Sequence, residues 1–178
     1  YVIKDSVGNE LVWVEVPRTA EIYGERDAEG NITGEGILAT DIDSLTGEAF
    51  TAAINTIEQK LHDYTMTYRT DAEGNETAFT DTHSGDAAKS AGLSSDEYTL
   101  LKQKMLKSIF KNGGFYIAKY ETGTATQRTA GGNIEAYQPE IKQNVYPYNF
   151  VTTAEAQSLA ENFKTDGFET NLMFGIQW

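Results

Sequence analysis

Apolar and polar residues alternate twice near the start of the chain, in YVIKD (1–5) and ELVWVEV (10–16). A half-buried strand produces this period of two because its side chains point alternately to opposite faces. Between the runs lies SVGN, in which Gly8 and Asn9 offer the positive-φ residues of a tight turn. The pattern predicts a β-hairpin that ends at Pro17. Residues 18–42, punctuated by Gly24, Gly30, Gly34 and Gly36, read as loop with one short strand.

At Gly47 the period changes. Phe50, Ala53, Ile54, Ile57 and Leu61 fall on one helical face and predict a helix to about His62, with Ser44 or Thr46 as its cap. A second helix is expected from SSDE, where Ser94 and Glu97 have capping-box spacing, to Asn112-Gly113. Tyr98, Leu101, Met105 and Ile109 line one side of it, and Lys104, Lys107 and Lys111 form a solvated opposite face. Between these helices lies a polar loop at 64–93. GGFYIAKYETG (113–123) alternates as a strand, and TTAE (152–155) opens a third helix whose inner face is Ala156, Leu159, Ala160 and Phe163.

The whole is expected to be one α+β domain over residues 1–178, with 41–112 as a helical insertion. The pentapeptide DAEGN occurs at 27–31 and again at 71–75. Its glycine is fourth rather than sixth, so it reads as a hairpin turn and not as a calcium loop of the EF-hand kind. Both copies overlap sequons, NIT and NET, which matter only in a glycosylating compartment.

Composition narrows the chemistry. With 27 acidic and 14 basic residues the formal net charge is −13, which repels phosphate backbones and anionic membrane surfaces. No nucleic-acid partner is expected, and no apolar run approaches the roughly 20 residues of a spanning helix, so no membrane insertion is expected either. Cysteine is absent, which removes disulfides and thiolate chemistry. Only His62 and His83 offer imidazole. No catalytic residue, metal ligand or cofactor is assigned.

Tyrosine is abundant, ten residues, and Tyr137, Tyr146 and Tyr148 gather in GGNIEAYQPEIKQNVYPYN. A phenol pairs apolar area with a hydroxyl, and long loops on rigid scaffolds carry recognition. These three are the candidate ligand-binding residues, for a protein or glycan ligand at a surface.

The succession LVWVEVP, GGFYIAKYETG, YPYNFVTTAEAQSLAENF and NLMFGIQW resembles the formylglycine-generating-enzyme, or sulfatase-modifying-factor, superfamily. Its anchors here are Phe115, Ile117, Tyr120 and Glu121, then Pro147, Val151, Ala156 and Ala160, then Trp178. The resemblance implies a C-type-lectin-like fold with short antiparallel strands, about three helices and long loops. It also implies that the family domain continues beyond Trp178, its C-terminal part being missing. The family's enzymes bind copper through paired cysteines, and its iron relatives use histidines. The wording of these anchors also resembles surface and phage-associated proteins of Firmicutes, and the chain lacks the first set of ligands and is poor in the second. The resulting expectation is a non-catalytic recognition or display module, extracellular, at a cell surface or on a virion. Two further readings are a metal-dependent oxidoreductase of the same superfamily and a structural subunit of a surface fibre or phage particle.

Overall fold

The opening alternation becomes β1 (Val2–Lys4) and β2 (Glu10–Glu15), antiparallel with Ile3 opposite Leu11. The computed structural model describes residues 1–75, 81–85, 92–163 and 167–178. In the turn between the strands only Gly8 takes a positive φ, +92°. Asn9 does not. It is buried instead, and its amide nitrogen donates to Asp5 Oδ2 at 2.8 Å.

The turn DSVGN (5–9) shares its form with both DAEGN copies. In each, the glycine N–H donates to the aspartate carbonyl, and the aspartate N–H donates to the asparagine carbonyl. In each, the carboxylate accepts from the backbone two and four residues on and from the asparagine side chain. The glycine φ values are +92°, +88° and +85°. This is a turn closed by a left-handed glycine and reinforced by an Asx bond. The Asp27 and Asp71 carboxylates serve these turns, and the bonds hold both below the usual carboxylate range: the Asn31 side chain contributes most at Asp27, the Asn75 backbone at Asp71.

Residues 18–42 hold more structure than expected. A single helical turn, α1 (Ala20–Tyr23), buries Ile22 and Tyr23. β3 (Glu25–Arg26) and β4 (Ile32–Gly34) then form an antiparallel hairpin across the first DAEGN turn, and a 3-10 turn follows at Gly36–Ala39. The first long helix, α2 (Gly47–Arg69), runs well past His62, so the segment from 64 to 69 is helical rather than loop. Tyr64 and Tyr68, one turn apart with ring centroids 5.8 Å apart, line its extension. Neither candidate side chain caps α2: Thr46 makes no side-chain cap bond, and Ser44 Oγ donates to the Asp41 carbonyl.

The second long helix, α3 (Ser95–Asn112), starts from the expected box, with Glu97 N–H donating to Ser94 Oγ and Ser94 N–H to Glu97 Oε2. Of the predicted Tyr98, Leu101, Met105, Ile109 line only Ile109 is fully buried; the buried stripe, Leu106, Ile109 and Phe110, is rotated from it. Then come β5 (Gly114–Ala118), which ends five residues short of the predicted strand, β6 (Gly123–Thr124), a 3-10 turn at Ile134–Ala136 and β7 (Tyr146–Pro147). The last α-helix, α4 (Thr153–Asn162), has the predicted Thr152/Glu155 capping box. It buries Gln157, whose amide donates to Glu161 and Asn171. A 3-10 turn at Gly175–Gln177 follows.

The sheets are small and antiparallel: β1–β2–β5, β3–β4 and β6–β7. The class is mixed α+β. By packing, the chain divides into two units. One comprises Tyr1–Val14, Thr82–Tyr98 and Tyr116–Met173, and the other Glu15–Asp81, Thr99–Phe115 and Phe174–Trp178. Much of the predicted polar loop, and the second sequon beyond Asn75, lies outside the described residues.

In the helical unit, Ile54, Ile57, Leu106 and Phe110 are almost wholly buried. Tyr23 is completely buried, with its ring 5.1 Å edge-on to Phe110. The Tyr23 hydroxyl has no hydrogen-bond partner among the described residues, and burial raises its pKa far above a phenol's ordinary value. An unpaired buried hydroxyl opposes folding. Replacing Tyr23 by Phe therefore raises the urea midpoint, by about 1 kcal/mol of stability; a lowered midpoint would show that the hydroxyl is bonded.

Lys107 and Lys111 do not merely face solvent: both ammonium groups bond Asp43. Hydrogen bonding first to Lys107 and then to Lys111 holds the Asp43 carboxyl at about 2, below its ordinary 3.8. A depressed carboxyl contributes its stability above the unfolded value and loses it as pH falls through the folded one. Carboxyl NMR should therefore show Asp43 titrating near pH 2, and Asp43→Asn should lose its stability deficit between pH 4 and 2. A deficit unchanged over that range would contradict the pairing.

Candidate functional site

The tyrosine-rich loop sits in the other unit, on a frame of backbone ladders. β6 pairs with β7, Gly123 opposite Pro147 and Thr124 opposite Tyr146. On its other side Gly123 exchanges two 2.8 Å backbone bonds with Glu140. A Cβ on Gly123 would stand 2.3 Å from Val145 Cγ2 and 2.7 Å from the Tyr146 carbonyl oxygen, so only glycine lets these segments approach.

The first turn of the chain pins this frame. Asn9 Oδ1 accepts from the Ile141 N–H at 2.8 Å, and Glu10 N–H donates to the Ile141 carbonyl at 3.0 Å. The Ile141 side chain joins Leu11 and Phe163 in a small buried cluster flanked by Ile3, Tyr116 and Tyr120.

Within the loop, Arg128 is 1% exposed. Its Nε donates to the Asn149 carbonyl at 2.9 Å, and Nη2 donates to the carbonyls of Gly132 at 3.1 Å and Phe150 at 3.3 Å. The rings of Tyr137 and Tyr148 pack on the guanidinium, with centroids 4.7 and 4.9 Å from Cζ. A desolvated cation over two such rings gains about 2 kcal/mol or more from their quadrupoles. Tyr148 Oη donates toward the carbonyls of Ile134 and Tyr137, both at 2.9 Å. Burial raises its phenol pKa, against the lowering pull of Arg128. Nη1 is buried and has no partner among the described residues.

The three predicted tyrosines thus have two placements. Tyr137 and Tyr148 are half-buried and brought together by Arg128, while Tyr146 lies on β7 with 48% of its surface exposed. Two participants escaped the sequence reading. Arg128 carried a faint signal, being the only basic residue between Lys119 and Lys142. Phe150 carried none.

Phe150 is 52% exposed and adopts φ +55°. A positive φ in a bulky non-glycine residue is strained, at about 1–3 kcal/mol, and persists only where surroundings enforce it. Its carbonyl accepts the 3.3 Å bond from Arg128 Nη2. Among the described residues the other positive-φ residues that are not glycine, Asn133 and Asn144, belong to the same loop. Two exposed aromatics thus stand on this loop, Tyr146 on the β6–β7 ladder and Phe150 with its carbonyl bonded to the buried cation.

The histidines take structural contacts: His83 Nε2 lies 2.9 Å from the Leu93 carbonyl with its ring against Tyr98, and His62 sits on α2 beside Asp63. Among the described residues no three His, Asp or Glu side chains gather as a metal-holding group, and no helix is long and apolar enough to cross a membrane. Comparison with protein-family models, curated proteins and solved structures finds no match to the chain.

Proposed function

We propose that the chain is a non-catalytic recognition or display module of C-type-lectin-like kind, acting outside the cell, at a cell surface or on a virion. Its ligand, a protein or a glycan, meets the loop at residues 125–150. The observation that carries this reading is Phe150, a strained, half-exposed aromatic held by a buried arginine. Strain of this kind persists mainly at functional positions, and an exposed aromatic is a common anchor of a recognition surface. Tyr146 is the second contact residue, and Tyr137 and Tyr148 act through Arg128 as positioning residues.

Glycan and peptide arrays probed with the labelled chain test the reading. Specific binding should appear and fall at least about tenfold in a Tyr146→Ala, Phe150→Ala variant, as expected for loss of two aromatic anchors. No specific binding on any array, or binding that the double variant retains, would sink it.

A further inference from the structure

Of the polar groups in the loop, Arg128 Nη1 is the anomaly. The Nε edge and Nη2 are bonded to carbonyls and the rings of Tyr137 and Tyr148 pack on the plane, yet Nη1 is buried without an acceptor. Among the described residues no carboxylate lies at ion-pair distance from Arg128; Glu155, held low first by its bonds to Thr152, feels the Arg128 charge only at longer range. A buried unpaired donor on a charged group is costly and calls for an explanation. Resting on the recognition reading above, we infer that Arg128 is the anion-recognition residue of the loop and takes a ligand's carboxylate end-on across Nη1 and Nη2.

The geometry supplies the route. Of the three carbonyl bonds, the 3.3 Å contact from Nη2 to Phe150 is the longest, and Phe150 is the residue with the strained φ. In the inferred bound state the Phe150 peptide turns to a negative φ, which relieves the strain and frees Nη2 from that one bond. The bonds to Asn149 and Gly132 stay and keep the fork oriented. A carboxylate then replaces one weak acceptor with two charge-assisted bonds in the guanidinium plane.

Net charge selects among anions. The chain's −13 repels a dianionic phosphate twice as strongly as a monoanionic carboxylate at long range.

The test is an NMR titration of the chain, following the Arg128 guanidinium and Phe150 amide resonances. Acetate serves as a free organic acid and N-acetylglutamate amide as a peptide side chain, with acetamide and inorganic phosphate as controls. Either carboxylate, or both, should give saturable shifts at Arg128 and Phe150, with affinity at least about tenfold above both controls at matched ionic strength. The arm that binds more tightly identifies the source.

Phe150→Gly removes the penalty on the closed loop, so it should raise stability and weaken carboxylate binding. Arg128→Lys should weaken binding at least about tenfold. Shifts that merely follow ionic strength, equal response to acetamide, or Phe150→Gly binding unchanged would each overturn the inference. Array binding with no carboxylate response would leave the recognition reading standing and this one refuted. A carboxylate response with empty arrays would do the reverse.

Discussion

Arg128→Leu is expected to unfold at markedly lower urea, with a loss of about 3 kcal/mol. The substitution removes three hydrogen bonds from a charged group, each worth about 1.5–3 kcal/mol in a buried setting, together with two ring contacts. The sum exceeds the expected loss for two reasons. Asn149, Gly132 and Phe150 are exposed residues whose carbonyls regain water once the side chain is gone. Deleting a buried cation also refunds part of its desolvation cost.

Arg128→Lys should fall in between, at about 2 kcal/mol, because an ammonium cannot reproduce the planar fork that reaches carbonyls on both sides of the loop. Hydrogen exchange locates the damage. The amides of Gly123, Glu140 and Tyr148, all bonded within the loop's frame, should lose protection before those of α2. An Arg128→Leu chain with an unchanged midpoint and unchanged protection at these amides would show that Arg128 does not hold the loop.

Asn9→Asp is expected to cost about 3 kcal/mol at pH 7, whereas the same exchange at Asn31 should cost less than about 1 kcal/mol. The two asparagines occupy the same place in the same turn, so local geometry predicts equal effects. Asn9, however, is 5% exposed, donates to Asp5 and accepts from Ile141. A carboxylate there faces the Asp5 carboxylate in a site with little water. Asn31 is exposed and its partner Asp27 is open to solvent.

The pH dependence has a definite sign. Like-charge proximity and burial raise a carboxyl's folded pKa above its unfolded value, so the penalty is full at neutral pH and shrinks as pH falls and one group protonates. The difference between Asn9→Asp and the parent chain should therefore narrow between pH 7 and 4, read from urea midpoints at each pH. Equal effects at the two asparagines, or a gap that widens on acidification, would refute the burial argument.

Several features were legible in residue order because their causes are local. The opening hairpin, the faces of α2 and the capping boxes at Ser94 and Thr152 follow from side-chain period and from hydroxyl–carboxylate spacing over one helical turn. The DAEGN turns were legible for the same reason, since an aspartate binding the backbone two and four residues on needs nothing distant. DSVGN shares that pattern, and its kinship was open to notice from its spacing of Asp, Gly and Asn alone.

Other features depended on partners far along the chain. The stripe of α3 turned toward Leu106 and Phe110 in a core shared with Tyr23 and Ile57, which no period within α3 encodes. Gln157 is buried because Asn171 meets it. Residue order by itself determined which turns and helices form, since those energies lie between neighbours. Tertiary structure alone decided which of the three turn asparagines is buried, that a lone arginine is enclosed by Tyr137 and Tyr148, and that Phe150 stands exposed on strained backbone. Burial and long-range hydrogen bonding depend on residues more than a hundred positions apart, as Asn9 and Ile141 are, and no local pattern carries them.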